Sequence, residues 1–166
     1  ENISLIVDKY KNWIMSNIVL EEGLLQTFAW SLYEVMDNVF QHSGADYGYV
    51  SMQYHVSSKR LNIAVTDIGK GIIRSMSEGV GVADSKVDSG IFMDYFSKGE
   101  YGKIIKYAVN KGVTSKGNRN KGMGLYGLTE SVRRNGGTFM IDSGKGAYEN
   151  NKAKDEPIDT YNFGKS

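Results

Sequence analysis

The chain has 166 residues, of which 40% are hydrophobic and 23% charged, with 20 Lys plus Arg against 19 Asp plus Glu. That profile describes a globular domain able to bury an ordinary core, and a net charge of +1 gives no electrostatic case for nucleic acid or anionic lipid. No apolar run approaches the ~18 residues of a membrane helix, no signal peptide is visible, and the lack of cysteine removes disulfides and thiolate metal sites. A cytoplasmic chain with no membrane segment is expected, and a start at Glu1 rather than Met reads as a fragment of a longer protein. Glycine is the deviation: 20 residues where average usage gives roughly 12, against a single proline, Pro157. Most of the excess is clustered between Gly69 and Gly146, which predicts mobile loops within one fold.

In chain order, Leu5, Ile6, Tyr10, Trp13 and Ile14 recur at helical spacing and predict an amphipathic helix in the first twenty residues. A second helix is expected from about Glu21 to Gln41, with Leu25, Phe28, Leu32, Val35, Met36 and Val39 as its apolar face and Ser43-Gly44 as its stop. Tyr49 to Val56 and Leu61 to Thr66 are β-rich and flank Ser57-Ser58-Lys59-Arg60, the pattern of a hairpin. Residues 69 to 91 show no periodicity. A short helix through Tyr101, Ile104, Ile105, Tyr107 and Ala108 should end at Gly112, and Leu125 to Arg134 should form another, capped by Asn135-Gly136-Gly137. Thr138 to Asp142 alternates as a strand, Gly144 to Glu156 reads as a mobile polar tail, and Ile158 to Phe163 is a candidate final strand. A sheet with helices on one face is the economical packing of these parts.

Three groups of residues carry possible chemistry. Glu34, Asn38 and His42 stand four apart and so stack on one face of the second helix. Such a stripe is either solvated surface or a site in which an Asn carbonyl holds Mg²⁺ between triphosphate oxygens while Glu34 orients or deprotonates an attacking water or hydroxyl. Asp67 ends a hydrophobic strand before Gly69 and Gly71. Locally this is a turn in which the carboxylate caps and glycine supplies positive φ. Functionally it is a carboxylate that accepts from the exocyclic amine of adenine and repels guanine, with glycines that let the backbone approach a flat base. Gly122-Met123-Gly124-Leu125 precedes a helix, and free N–H groups at a glycine-rich helix start form an anion site. Lys121, then Arg119 and Lys116, are the cations in that loop able to meet a phosphate.

In this order, the three groups resemble the ATPase superfamily shared by DNA gyrase B, Hsp90, MutL and histidine kinases, whose fold is called the Bergerat fold. Glu34-Val35-Met36-Asp37-Asn38 is similar to its N box, Asp67-Ile68-Gly69-Lys70-Gly71 to its G1 box and Gly122-Met123-Gly124-Leu125 to its G2 box. The resemblance spans roughly residues 20 to 145. It implies an α+β two-layer sandwich, a mixed sheet with helices on one face, in a single domain over 1–166 with an ATP lid over about 72–121. By the same resemblance Asn38 is the Mg²⁺ ligand through ATP, Asp67 the adenine reader with Gly69 and Gly71, and Lys121, Gly122, Gly124 and Leu125 belong to the ATP-binding loop. Glu34 falls where gyrase-like members and serine-kinase anti-sigma factors keep a catalytic acid. The Gly122–Leu128 and Asn135–Thr138 stretches are more like the end of a histidine-kinase catalytic domain, and the lid is longer than is typical there.

Three functions follow as expectations. The first is Mg-dependent ATP hydrolysis or phosphotransfer in a bacterial signalling or regulatory protein, acting on an unidentified protein partner or phosphoacceptor. The second is a nucleotide-gated interaction module with negligible turnover, and the third is the catalytic domain of a sensor histidine kinase. His55, in a strand with no acidic or His neighbour in sequence, is expected to have surface or structural duty. Trp13 and Trp30 are expected to fill the core or an interface, Trp30 also standing where it could wall a nucleotide pocket.

Overall fold

The structure, a computed structural model, describes residues 2–19, 23–113, 115, 124–151, 153 and 155–159. The chain separates into two compact units, Glu1–Lys70 and Gly71–Ser166, so the boundary falls between the two glycines of the Asp67–Gly71 motif.

In the first unit, helix α1 (Ile3–Asn17) starts where Asn2 Oδ1 accepts the Ser4 N–H at 3.0 Å, relieving one of the orphan donors of a helix start. Helix α2 (Leu24–Asn38) follows Gly23, whose φ of 83° only glycine adopts cheaply. Val7 of α1 and Leu32 and Met36 of α2 form the buried centre, joined by Ile3, Ile6, Phe28, Val50 and Val65. Strands β1 (Gly48–His55) and β2 (Arg60–Asp67) form the expected hairpin, and the Tyr10 hydroxyl donates to the Val50 carbonyl at 3.2 Å, tying α1 to the sheet. Pairing of Val50 with Val65, Met52 with Ile63 and Tyr54 with Leu61 puts these side chains on the helix-facing side of the sheet.

In the second unit, helices α3 (Gly71–Gly79), α4 (Ser89–Ser97) and α5 (Tyr101–Ala108) share a core of Met76, Val87, Phe92, Ile104 and Ala108. The adjoining face of α5 buries Ile105 and Val109 against Tyr148, with Leu125, Phe139 and Ile141 around them. Ile104 and Ile105 are both fully buried, each contributing about 1.5–3 kcal/mol of transfer free energy. The stretch 69–91, read as lacking periodicity, therefore contains α3 and the start of α4. Its apolar positions, Ile72, Ile73, Met76 and Val80, do follow a helical face, masked in sequence by the glycines and serines between them.

Helix α6 (Gly124–Arg134) ends as expected at a glycine turn, Gly136 having φ 72° and the Gly137 N–H reaching the Val132 carbonyl at 2.9 Å. Strand β3 (Phe139–Ser143) follows. The expected mobile tail is instead two further strands, β4 (Gly146–Asn150) and β5 (Asp155–Asp159). Polar composition misled here because β4 is buried through hydrogen bonding. The buried Tyr148 hydroxyl donates to Asp155 Oδ1 at 2.7 Å, Asn150 Nδ2 donates to the same hydroxyl at 2.9 Å, and Lys106 Nζ reaches Asp155 Oδ2 at 2.9 Å. Burial and the bond to Asp155 push the Tyr148 phenol up to about 12. Burial alone would raise the Asp155 carboxyl, but the bonds from Lys106 and Tyr148 outweigh it and hold it below the usual carboxylate range.

The fold is thus α+β, with six helices and two antiparallel sheets, β1-β2 and β3-β4-β5, among the described residues. These strands do not build the single mixed sheet expected from sequence. Each ladder joins chain neighbours through a short connection, and a parallel pair would need a crossover of a dozen residues or more. Where α5 meets the sheet, a Cβ on Gly102 would stand 2.5 Å from the Ile158 backbone nitrogen and one on Gly146 would stand 2.6 Å from the Tyr101 carbonyl carbon. Backbone cannot give way as a side-chain tip can. Gly102→Ala is therefore expected to destabilise the protein by about 3 kcal/mol, the upper end of overpacking costs, as a lowered midpoint in urea unfolding; an unchanged midpoint would contradict this packing.

Candidate functional site

The end of α2 departs from regular geometry. After Asn38 the chain makes one π-helical turn, Val39–Ser43, before Gly44 closes it at φ 70° and the Ala45 N–H bonds Ser43 Oγ at 2.9 Å. Glu34 and Asn38 stack one α-turn apart as predicted. The wider turn changes the angular step beyond Asn38, so His42 does not continue the stack in regular α register.

Asp67 closes β2 opposite Gly48, in phase with Val65 and Val50, which puts it on the helix-facing side of the hairpin. Its Oδ1 accepts the Gly69 N–H at 2.7 Å, the turn-capping role foreseen for a carboxylate before glycine. A Cβ on Gly69 would lie 2.4 Å from the Ser43 carbonyl oxygen, and the Lys70 N–H donates to that same oxygen at 2.8 Å. The close approach that requires glycine at position 69 is thus made to the π turn of α2. On the neighbouring strand, a Cβ on Gly48 would meet Val39 Cγ1 at 3.0 Å. These two contacts seat the Asp67 end of the hairpin against the turn that follows Asn38. Asp67 and Gly69 thus lie beside the turn that follows Asn38, in the unit that also carries Glu34.

The other predicted residues fall in the second unit or outside the described residues. Gly71, at φ 74°, opens α3, where the Ile72 N–H donates to Ser143 Oγ of β3 at 2.8 Å. Gly124 begins α6 and Leu125 packs on the Ile105–Val109–Tyr148 core, both in the second unit. Lys121 and Gly122, with Met123, Lys116 and Arg119, lie outside the described residues. No model of a known protein family matches the chain, and no characterised protein or solved structure matches it either. What the site can do is carried by its own geometry.

Two electrostatic features mark it. Asn38 is partly buried, and its Nδ2 is buried with no hydrogen-bond partner among the described residues. Such a donor costs free energy unless something accepts from it. The Glu34 carboxyl is held above the ordinary glutamate range, first by burial and second by the like charge of Asp37, three residues on, whose Oδ2 accepts from Gln41 Nε2. An amide whose donor lacks an acceptor, one turn from a carboxyl of raised proton affinity, fits an anionic, metal-neutralised group such as Mg²⁺ on a polyphosphate. Asn38 Oδ1 would hold the metal and Nδ2 would donate to a phosphate oxygen. Among the described residues no three His, Asp or Glu side chains converge as a metal site, so a metal at Asn38 would draw most of its ligands from phosphate and water.

Asp37 offers a direct check of the Glu34 environment. Asp37→Asn removes the second cause of the shift and leaves burial, so the Glu34 carboxyl is expected to titrate at lower pH, closer to but still above the ordinary value. NMR titration of the Glu34 side chain reads this. An unmoved midpoint would mean that the two carboxylates do not interact.

The remaining sequence expectations fall out simply. His55 stays at the surface, its Nε2 3.2 Å from Asn62 Nδ2. Trp13 and Trp30 are 43% and 42% exposed, so neither is core filling. No helix among the described residues is long and apolar enough to cross a membrane.

Proposed function

We propose that the chain is a Mg-dependent ATP-binding domain of the gyrase B, Hsp90, histidine kinase and MutL type, which hydrolyses ATP or passes its terminal phosphoryl group to a protein acceptor. The observation that carries this is the buried, unpartnered Asn38 amide one turn from a Glu34 carboxyl of raised proton affinity, with Asp67 beside the turn that follows Asn38. Asn38 holds the metal, which when bound neutralises charge on the triphosphate oxygens. Glu34 takes the proton from the attacking water or hydroxyl; a carboxylate whose burial raises its affinity for protons is a stronger base once ionised. Asp67 accepts from the adenine amine through Oδ2, its Oδ1 being engaged by Gly69. By the sequence resemblance, Lys121, Gly122 and Gly124 are the residues that would meet the phosphates.

Residues 72–121 supply the element that responds to nucleotide. Within it α4 exposes Ile91, Met93 and Phe96 at 42%, 52% and 43%, on a helix whose Phe92 is buried. Those exposed apolar side chains, which flank Phe92 around the helix, support the second reading, an interaction module whose partner surface is governed by ATP. Incubation with γ-labelled ATP and Mg²⁺, with and without candidate partners, separates the two. Released or transferred phosphate supports the enzyme; retained ATP without turnover supports the module. No uptake of nucleotide would refute both.

A further inference from the structure

Deepening the ATP reading on which it rests, we infer that Ser31 is a binding residue of the same site, its hydroxyl engaging the terminal-phosphate end of the ligand beyond Glu34. At about 100° per residue, Ser31, Glu34 and Asn38 fall within an arc of about 60° on α2, turned away from the side on which Leu32 and Met36 meet the core. Along the axis Ser31 precedes Glu34 by about 4.5 Å and Glu34 precedes Asn38 by about 6 Å. The order is therefore metal and phosphate ligand, base, hydroxyl.

Ser31 is only 9% exposed, and its Oγ has no hydrogen-bond partner among the described residues. A buried serine within a helix ordinarily bonds back to the carbonyl four residues earlier; that bond, to Thr27, is not made here. Its neighbour on the stripe, Asn38 Nδ2, is orphaned in the same way. Two buried polar atoms left unpaired on one arc of one helix, with the base between them, are groups that a hydrogen-bonding ligand would satisfy once neighbouring side chains move to admit it. A hydroxyl both donates and accepts, so it suits a phosphate oxygen or the water that attacks it.

Calorimetric titration of Mg²⁺ with a non-hydrolysable ATP analogue, and of Mg²⁺ with ADP, tests this on the wild type and Ser31→Ala, with thermal unfolding of both proteins free of ligand. The variant is expected to lose about tenfold in affinity for the triphosphate analogue and to bind ADP within about twofold of wild type. Its ligand-free midpoint should stay or rise, because an unpaired hydroxyl is removed. Unchanged affinity for the analogue, equal loss for both nucleotides, or a lowered ligand-free midpoint would overturn the role of Ser31. If the variant matches a wild type that binds, Ser31 alone fails; if the wild type binds neither nucleotide, the ATP reading fails and takes this inference with it.

Discussion

Asn38→Ala is expected to weaken Mg-dependent ATP binding by roughly 100-fold while leaving the fold intact. The loss corresponds to about 3 kcal/mol, the upper range for a hydrogen bond to a charged group. Stability should move the other way. Asn38 Nδ2 is buried and unpaired, so the folded protein carries its desolvation cost, about 1–3 kcal/mol for such a group, and alanine removes it. A variant that binds worse and melts no lower is what a residue held for a ligand should give. Were Asn38 an ordinary helix residue, binding would not change; were its amide engaged within the fold, the melting temperature would fall. Calorimetric titration with ATP in the presence and absence of Mg²⁺, paired with thermal unfolding, reads both signs.

Glu34→Gln is expected to cut turnover by about 10²–10⁴-fold, the usual contribution of a general base, while ATP affinity holds or improves because a negative charge near the triphosphate is gone. The pH dependence follows from the raised affinity of Glu34 for protons, caused first by burial and then by Asp37. Turnover needs the ionised form, so it should fall on the acid side with a midpoint above the ordinary glutamate value. The stability linkage has a definite sign. The folded-state pKa of Glu34 lies above its unfolded value, so its contribution to stability is fully present below the unfolded value and is lost as pH rises through the folded one. At neutral pH the wild type carries this cost and Glu34→Gln does not, so the variant should melt no lower than wild type at pH 7. Steady-state rates across pH, with melting curves at neutral and acid pH, test the pair; full activity in Glu34→Gln would remove Glu34 from the chemistry.

Strongly periodic elements were legible in the sequence. The apolar spacing of α1, α2 and α5 and the alternation of β1 and β2 predict their places, and Gly44, Gly112 and Gly136 stop or follow helices with positive φ. Three regions escaped, α3, α4 and the β4–β5 hairpin, and for the first and last the physical reason is plain. In α3 the helical face of Ile72, Ile73 and Met76 is bracketed by Gly71 and Gly79, so local propensity argued against a helix that tertiary packing stabilises. In β4 the polar composition concealed a buried strand, because Tyr148, Asn150 and Asp155 satisfy one another and Lys106, distant in sequence, joins them at Asp155.

The site shows the same division. Glu34, Asn38 and Asp67 could be named from residue type and spacing, but the close contacts of Gly69 and Gly48 with the π turn after Asn38 depend on packing. Gly69 illustrates how a motif glycine serves two demands. It permits the Asp67 cap, and it lets the loop lie on the Ser43 carbonyl. Ser31 was invisible because a serine on an amphipathic helix carries no signal until its burial and lack of a partner are known.

Nuclear magnetic resonance with Mn²⁺ in place of Mg²⁺ reaches the central proposal most directly, since a paramagnetic ion bound with ATP broadens only the amides near it. The account predicts ATP-dependent broadening in two separate stretches at once, 34–42 and 67–70. Broadening confined to one stretch, or none when ATP is added, would contradict it.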